Sequence, residues 1–383
     1  MISLGLSTAN QKKFHALLGQ NHHIAISLSL ITLNHGFVSS LSTMFLGGQV
    51  TIDDSQDVSR SASLTFLDPQ HKMDLDSNSP ADGAYFIDRM IRIVYTVYSV
   101  DRSVWYSIPI FCGPITKMDR DWVVVNIECM GKEILALDQI WSPRTYKKGA
   151  KRTDVVKSML QATGETKFSI TKSNSKLTKN LALSSDHKPW TVARSIARTG
   201  GRQLFYDGRG VAVMRPYPTS TLFTFTEGAG GMILTKPQIG YDASMMINAV
   251  QVKGATPKGK KVPISYRATA APGTPVYPYT IGRGGKPRFI PVYIDDDSID
   301  TKAEAKEVAL DRLKLGMYES TTAAFDSLPV PHLEPRDPYK ISTAEVSVSA
   351  IVQQMTIPLQ ANETAAFGYL KSRKPNRTNI RRK

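Results

Sequence analysis

Hydrophobic and polar residues alternate in short runs between about residue 22 and residue 142. In the first run, every second position carries an aliphatic side chain, at Ile24, Ile26, Leu28 and Leu30. Period-two alternation over runs of this length is typical of half-buried antiparallel strands. The same pattern recurs at Ala62, Leu64 and Phe66; at Ile91, Ile93, Tyr95 and Val97; at Val104, Tyr106, Ile108 and Ile110; and at Val123, Val125, Ile127 and Cys129.

Turn-forming residues separate these runs. They occur at Asp68-Pro69, from Ser79 to Gly83, and at Asp119-Arg120-Asp121. Together with the alternating runs, these turns predict a barrel or sandwich of at least six strands.

The period changes to that of helices at three places. A short helix is predicted between Ser7 and Gly19, with Ser7 as its N-cap. A second should begin at Thr153 and end near Gly164, and a third should begin at Pro189 and end at Gly200. A hairpin follows around Asp207-Gly208-Arg209-Gly210, so residues 150–235 indicate a small α+β module.

Strand patterns return at about residue 245 and are interrupted twice. Residues 254–290 are rich in Gly, Pro and Lys and predict a long loop with a functional or interfacial role. Thr301 and Glu304 form a capping-box pattern that opens a helix running to Gly316. Its inward stripe should be Ala305, Ala309 and Leu313. In the last strand the apolar parity changes near Gln353-Gln354, which predicts a bulge or bend.

The chain is basic, and its charge is unevenly distributed. It has 48 Lys+Arg against 33 Asp+Glu, a formal net charge of +15. Such an excess indicates nucleic acid, an anionic membrane or acidic proteins as partners, or simply a solvated surface. One basic cluster consists of Lys253, Lys258, Lys260, Lys261, Arg267, Arg283, Lys286 and Arg288. The other lies at the end of the chain and consists of Lys371, Arg373, Lys374, Arg377, Arg381, Arg382 and Lys383.

Motifs for catalysis, metals or cofactors are absent from the sequence. The seven histidines and two cysteines show no HExxH or paired-Cys spacing, and no GxSxG motif occurs. Cys112 and Cys129 should lie roughly opposite each other on one hairpin, as two small buried hydrophobic residues. We therefore expect no metal, no cofactor and no enzyme activity. A carboxylate pair stays open, because any two acidic residues can meet in space.

No apolar run of 18 or more residues and no signal-peptide pattern occurs, so we expect no membrane span. With only two cysteines, the protein should be assembled in a reducing cytoplasm.

The order of these segments resembles that of bacteriophage tail baseplate hub, or tail-tip hub, proteins. The closing part of the motif 332–337 is similar to a "P-G-D" turn, with Arg336 where glycine is usual. The other segments that carry the resemblance are Gly113-Pro114-Ile115 through Trp122–Cys129, Gly131–Leu135, Trp190–Gly201, Leu204–Asp207, Asn248–Gly254 and Thr356–Leu359.

The resemblance implies a mainly β fold, with two tail-tube-like β barrels flanking a small α+β domain. The corresponding regions are an N-terminal segment (1–21), a first barrel domain (22–145), the α+β domain (146–240), a second barrel domain with a long basic loop at 254–290 (241–362), and a basic tail (363–383). No catalytic residues carry over from this family.

In function, the resemblance implies a structural virion component that joins the tail tube to the spike or fibres and forms part of the genome-ejection channel. Three chains would present six barrels, so a homotrimer would match a sixfold tube. The implied partners are the tail tube or distal tail ring, the tape measure protein, spike or fibre proteins, and DNA in transit.

Two other classes remain open: an enzyme, either a tail-associated cell-wall hydrolase or an unrelated hydrolase, and a nucleic-acid-binding protein. The basic tail, Lys371, Arg373, Lys374, Arg377, Arg381, Arg382 and Lys383, is the predicted partner-binding site. It should be disordered in the free chain, because it has one aliphatic anchor, Ile380, and cannot bury enough surface to offset ordering.

Overall fold

A computed structural model describes most of the chain. The described residues are 7–71, 73, 89–140, 142–218, 220–241, 246–257, 259, 261–274, 276–295, 299, 301–319, 321–360, 365–367 and 371–372. The structure is mainly β, with 42% strand and 16% helix, which confirms the predicted fold class. The turn predicted from Ser79 to Gly83 lies outside the described residues.

The first region begins with a helix that packs on strands. Ser7 caps the helix by accepting a hydrogen bond from the Asn10 N–H, and Gly19 ends it, as predicted. Its apolar side chains Phe14, Leu17 and Leu18 are buried. The elements are α1 (Thr8–Leu18), β1 (His22–Thr32), β2 (Phe37–Ser40), β3 (Phe45–Asp53), β4 (Arg60–Leu67), β5 (Arg89–Ser99), β6 (Trp105–Asp121) and β7 (Val124–Met130).

Side-chain alternation correctly predicted the buried faces of these strands except at Val104, which lies before β6 and is 45% exposed. Leu28, Leu64 and Ile93 are all nearly inaccessible, as the period-two pattern requires. The turn expected at residues 119–121 lies instead at Trp122-Val123, because β6 continues as a strand to Asp121. Trp122 adopts φ 52°, the left-handed conformation that a tight turn needs.

Both cysteines are buried and free, which confirms their interpretation as small hydrophobic residues. Their expected position opposite each other is wrong. Cys129 is paired with Ile115, and Cys112 is paired with Arg92 on the other side of β6. An irregularity between Ile115 and Lys117 shifts the register of β6 against β7, and the hairpin turn lies later than predicted.

The middle region is a small α+β unit with its own core. Pro189 occupies the first turn of its second helix and the hairpin around Asp207 forms, both as predicted. The first helix begins at Arg152, so Thr153 is a buried helical residue and not the cap. The elements are a 3-10 helix (Lys132–Ala136), β8 (Arg144–Tyr146), α2 (Arg152–Gln161), β9 (Phe168–Ile170), β10 (Leu181–Leu183), α3 (Pro189–Thr199), β11 (Arg202–Tyr206) and β12 (Ala212–Pro216).

The last region combines strands of three different sheets with one long helix. Its elements are β13 (Phe223–Thr226), β14 (Gln238–Tyr241), β15 (Ala249–Lys253), β16 (Ser265–Thr269), β17 (Pro291–Asp295), α4 (Lys302–Glu319), β18 (Thr321–Ser327), β19 (Pro338–Ser342), β20 (Ser347–Ile351), β21 (Gln354–Pro358), β22 (Ala365–Phe367) and β23 (Lys371–Ser372).

Strands from the two predicted barrel regions join in one large sheet. Among the described residues it has eleven strands, in the order β14-β18-β22-β21-β3-β4-β7-β6-β5-β1-β2. The junction is the antiparallel pair β21 and β3, with Ile357 opposite Val50. Both residues are buried in one core that also contains Phe225 and Tyr339. The regions 22–145 and 241–362 are thus continuous in space.

Residues 247–313 form a separate α+β unit within the predicted second barrel region. The sheet β16-β15-β17 packs one face against α4, and the two share a core of their own. Strand β16 lies within residues 254–290, so the single long loop predicted there is wrong. The predicted inward stripe of α4 is confirmed, since Ala305, Ala309 and Leu313 are buried. The helix continues past Gly316 to Glu319, and a Cβ at Gly316 would lie 2.7 Å from Ile247 Cβ. Gly316 therefore permits close packing and does not end the helix.

The parity change near Gln353-Gln354 marks a passage between two sheets. β20 belongs to the four-stranded sheet β13-β19-β20-β23, whereas β21 belongs to the large sheet. Two strands replace the single long strand that we expected, and the chain bends at residues 352–353. Strands also continue past residue 362, because β22 and β23 pair with β21 and β20.

Candidate functional site: a buried charge network and the exposed surfaces

The turn at residues 332–337 is buried, apart from the half-buried Arg336. The Glu334 N–H donates to Asp337 Oδ2 at 2.9 Å, and the Asp337 N–H donates to the Glu334 carbonyl at 3.0 Å. Both acidic residues are buried. Arg336 adopts φ 62°, the left-handed region that glycine favours. The sequence resemblance at this turn, with arginine in place of glycine, is therefore matched by its backbone conformation.

Side-chain contacts hold Arg336 in this conformation. Its guanidinium pairs with Asp54 in the loop after β3. The same group lies 5.4 Å from the centre of the Tyr217 ring, within the range of a cation–π contact. A left-handed residue other than glycine carries a conformational penalty of about 1–2 kcal/mol. These contacts offset that penalty and connect the turn to two other parts of the chain.

Glu334 forms a buried ion pair with Arg60 of β4. Their side chains are 1% and 2% exposed, which makes this a fully desolvated pair. Arg60 also donates to the Ile110 carbonyl of β6 at 2.5 Å, and Glu334 accepts from the Gly208 N–H at 3.2 Å. Burial raises the pKa of Glu334, while the Arg60 guanidinium opposes that shift. The pair thus joins the large sheet, the turn and the middle domain.

The hairpin β11–β12 of the middle domain docks on the same turn. Arg215 pairs with Asp337 at 2.7 Å and lies 4.9 Å from the centre of the Phe205 ring. Gln203 donates to the Pro335 carbonyl at 3.1 Å. The backbone of Gly208 lies so close to β6 that a Cβ there would be 2.2 Å from the Pro109 carbonyl oxygen. Only glycine fits at this contact.

A second pair of buried charges lies at the start of the 3-10 helix in the middle domain. Lys132 pairs with Glu165 at 2.6 Å, donates to the Gly210 carbonyl at 3.2 Å and lies 3.2 Å from His35 Nε2. Burial and the positive charge of Lys132 lower the pKa of His35 to about 4. The lysine and the glutamate are almost completely buried, so they satisfy each other's charge in the interior.

Helix α1 attaches to the core through two stacked histidines. His15 and His332 lie with ring centres 5.1 Å apart, and Phe14 and Phe223 pack around His332. Burial lowers the pKa of His15, and it lowers that of the fully buried His332 well below its usual value. Neither ring nitrogen of His332 has a hydrogen-bond partner among the described residues. Both features favour an uncharged histidine pair.

These charged groups form no recognisable catalytic arrangement in the described part of the chain. No group of three or more His, Cys, Asp or Glu that could hold a metal ion occurs there. A surface cavity of about 340 Å³ contains two acidic residues, Glu227 and Glu345. Glu227 accepts from the Ala344 N–H at 2.5 Å, and Glu345 pairs with Lys236 at 2.8 Å. Both carboxylates are therefore engaged with the protein itself.

The predicted basic site at the end of the chain is only partly described. Lys371 lies in β23, whose backbone pairs with β20, so strand structure extends two residues into the segment expected to be disordered. Arg373, Lys374, Arg377, Arg381, Arg382 and Lys383 lie outside the described residues.

The inner basic cluster is mostly described. Lys253 pairs with Asp295, and Arg267 donates to Gln251, both on the sheet of the last α+β unit. Lys258 and Lys260 lie outside the described residues.

Sequence patterns did not predict the charge network between Arg60, Glu334, Arg215 and Asp337. A signal was present, because Arg60 shares the buried parity of Ala62 and Leu64 in β4. A charged residue at an inward position of a strand indicates a buried partner. The partner itself lies 274 positions away in the chain.

Exposed apolar residues are concentrated at strand ends and edges. The outermost strand β2 exposes Phe37 by 70% and Val38 by 40%. Trp105 at the start of β6 and Trp122 at the turn after it are 61% and 81% exposed. Exposed aromatic and aliphatic side chains of this kind mark candidate contacts with partners. None of the described helices is long and apolar enough to cross a membrane.

Comparisons with solved structures relate this architecture to phage tail proteins. A tail protein of Neisseria meningitidis MC58 superposes with a TM-score of 0.61 at 12% identity, covering 91% of this chain and 96% of that one. The 43 kDa tail protein of prophage MuSo2 from Shewanella oneidensis gives 0.59 at 11% identity, covering 90% and 98%. A prophage tail protein of Listeria monocytogenes EGD-e gives 0.51 at 11%, covering 91% and 95%.

By sequence, no protein-family model and no curated protein matches the chain. The chain has the fold of these phage tail proteins, which confirms the expected resemblance at the level of structure.

Proposed function

We propose that this chain is a structural protein of a phage tail tip, the baseplate hub that joins the tail tube to the distal spike or fibres. The observation that carries the proposal is the fold, whose likeness to the Neisseria tail protein spans 91% of this chain and 96% of that one. In this role the chain forms part of the genome-ejection channel. Its partners are the tail tube or distal ring, the tape measure protein and the spike or fibres.

The hub is proposed to be a homotrimer in which sheet edges pair between subunits. Strand β2 is the last strand at one end of the large sheet and exposes Phe37 and Val38. Strand β14 ends the sheet at the other side. An apolar edge strand is a template for pairing with another chain, so a closed ring of subunits would cover it.

Light scattering of the purified chain at micromolar concentration tests this assembly. We expect a trimer, and rings in electron micrographs. Replacing Phe37 and Val38 together by Lys should give a folded monomer, because charges on an edge strand oppose further pairing. Val262→Lys is the matched control, since Val262 is as exposed as Phe37 but lies in the separate α+β unit. A wild-type monomer without rings would overturn the hub assignment.

A location in the virion is tested on particles. Mass spectrometry of purified phage should detect the chain, and antibody labelling should mark the tail tip. Particles that form normal tails without the chain would contradict a structural role.

For the alternative, a tail-associated cell-wall hydrolase, the candidate active site is the surface cavity that contains Glu227 and Glu345. The non-enzymatic role is favoured because both carboxylates contact other groups of the protein. Zymography on cell wall with the pure chain should give no clearing. Clearing that is lost in Glu227→Gln or Glu345→Gln would establish the hydrolase instead.

The basic tail is proposed to act as an assembly clamp on an acidic neighbour. Deleting residues 373–383 keeps β23 and removes six positive charges, those of Arg373, Lys374, Arg377, Arg381, Arg382 and Lys383. The thermal midpoint of the isolated chain should stay unchanged. Incorporation into tails should fall, and more so at raised salt, where charge attraction is screened. Equal incorporation of the truncated and full chains would contradict the clamp.

A further inference from the structure

The sheet β16-β15-β17 has one covered face and one open face. The covered face places Val250, Val252 and Ala268 against α4. On the open face, Arg267, Lys253 and Tyr293 are exposed, and Tyr293 is 72% exposed. The ring of Tyr293 therefore buries little of its surface in the isolated chain. Tyrosine is a residue type enriched in protein interfaces.

Backbone register brings the open-face residues side by side. Gln251 of β15 is the direct neighbour of Arg267 on one side and of Tyr293 on the other. Gln251 Oε1 accepts a hydrogen bond from Arg267 Nε at 3.0 Å. The two terminal nitrogens of the guanidinium take no part in this hydrogen bond. Adjacent strands lie about 4.8 Å apart, so arginine and tyrosine are separated by about 10 Å. The strand register thus fixes the spacing of Arg267 and Tyr293, the two residues that we consider as contacts for a partner.

A basic loop beside the sheet is held by a buried asparagine. Asn248 Nδ2 donates to the Val276 carbonyl at 3.1 Å and to the Arg288 carbonyl at 2.8 Å. The Ile290 N–H donates to Asn248 Oδ1 at 2.6 Å. Since one buried side chain ties both ends of this loop to β15, the exposed Arg288 and its neighbours are presented by a fixed backbone.

Charge is segregated across this α+β unit. Residues 243–294 contain eight Lys or Arg and no Asp or Glu, whereas residues 295–311 contain seven acidic residues. The acidic segment includes α4, where Glu304 pairs with Arg152 of α2 at 2.5 Å. Helix α4 therefore contacts the sheet through its apolar stripe and the middle domain through Glu304.

We propose that the open face of β16-β15-β17 docks an acidic surface of another tail protein, with Arg267 and Tyr293 at its centre. On this face Lys253 is paired with Asp295, and the exposed Arg267, with Arg288 in the loop beside it, gives a net positive charge that complements a negative protein surface. Arg and Tyr are among the residue types that dominate interface energetics. Nucleic acid is a poorer occupant. Nucleic-acid affinity depends on several Lys or Arg contacts with phosphates, and Lys253 on this face is already paired with Asp295.

This inference rests on the proposed tail function, and site-specific photocrosslinking tests the two separately. A benzophenone amino acid replaces Tyr293 in a chain that complements a phage lacking it. A second chain carries the same group at Trp122, which is exposed on the large sheet, as the control. We expect a crosslink from position 293 to a different tail protein, through a peptide of net negative charge, and a different product or none from position 122.

Other products of this experiment overturn the docking site. A crosslink from position 293 to a second copy of the chain, a crosslink to nucleic acid, or no crosslink in particles that contain the chain would each do so. Absence of the wild-type chain from purified particles would instead reject the tail function itself.

Charge reversal provides an independent test. Arg267→Glu with Arg288→Glu should reduce incorporation into particles at least about tenfold, because like charges then face each other across the contact. Lys147→Glu with Lys148→Glu is the control, since these exposed lysines of the middle domain give the same change in net charge. Both variants should keep the wild-type thermal midpoint. Reversing acidic residues in the crosslinked peptide should restore incorporation, and equal incorporation of both variants would contradict the proposal.

Discussion

Arg60 of β4 and Glu334 of the turn before β19 form an ion pair with both side chains almost completely buried. The pair connects a strand of the first region with a turn 274 positions later in the chain. Through Gly208 it also reaches the middle domain. Separating the two buried charges would cost free energy, so the ion pair holds these three parts in one relative arrangement.

Removal of one partner should be strongly destabilising. Glu334→Gln leaves the buried Arg60 without its counter-charge, which should lower the free energy of unfolding by about 3–5 kcal/mol. Replacing both residues, Arg60→Met with Glu334→Leu, should cost less than the single change, since no uncompensated charge remains. Urea unfolding of the single variants Arg60→Met and Glu334→Leu and of the double variant gives the coupling energy. A double variant with additive losses would contradict a direct interaction.

The left-handed conformation of Arg336 leads to a second prediction. Arg336→Gly and Arg336→Ala both lose the contacts with Asp54 and Tyr217, but only alanine retains the conformational penalty. The glycine variant should be more stable by about 1 kcal/mol. At Lys340 in β19, which has an ordinary strand conformation, alanine should instead be more stable than glycine. The same order at both positions in thermal melts would contradict the role of φ.

Because the backbone of Gly208 lies very close to β6, we expect a single added methyl group at this position to lower the stability of the protein. Gly208→Ala places a carbon 2.2 Å from the Pro109 carbonyl oxygen, so the hairpin must move away from the sheet. We expect a loss of about 1–3 kcal/mol, as for overpacking in a core. Gly200→Ala is the control, since its nearest contact would be an ordinary 3.4 Å. Equal midpoints of denaturation for both variants would show that the hairpin adjusts freely.

Stability should fall in mild acid because of the fully buried His332 and the half-buried His15. The pKa values of His332 and His15 are lowered in the folded chain by burial. As the pH falls below about 6.5, the unfolded chain takes up protons that the folded chain does not, so folding becomes less favourable. The slope contributed by His332 is about 1.4 kcal/mol per pH unit.

The variant His332→Leu should reduce this slope between pH 6.5 and 5, as measured by denaturant unfolding. Between pH 7.5 and 8.5 the variant and the wild type should have parallel profiles, because neither state takes up a proton on this histidine there. Parallel profiles over the acidic range as well would contradict the prediction.

The sequence by itself determined the local elements of this protein. Alternation in β1, β4 and β5 and the stripe of Ala305, Ala309 and Leu313 in α4 indicate which side chains are buried, because each period follows from the geometry of one strand or helix. Caps and turns such as Ser7 and Pro189 were predictable for the same reason. Each depends on neighbours within a few positions in the chain.

Only the tertiary structure decided how those elements meet. Pairing of β21 with β3, which joins the two predicted barrel regions, depends on residues about 300 positions apart, and many registers satisfy the same alternation. At residues 352–353 the chain passes from one sheet to another. In the sequence, this passage produces the same change of apolar parity as a bulge. The pairing of Arg60 with Glu334 depends on a shared, desolvated position in the fold, because charge alone does not specify which of 33 acidic residues an arginine contacts.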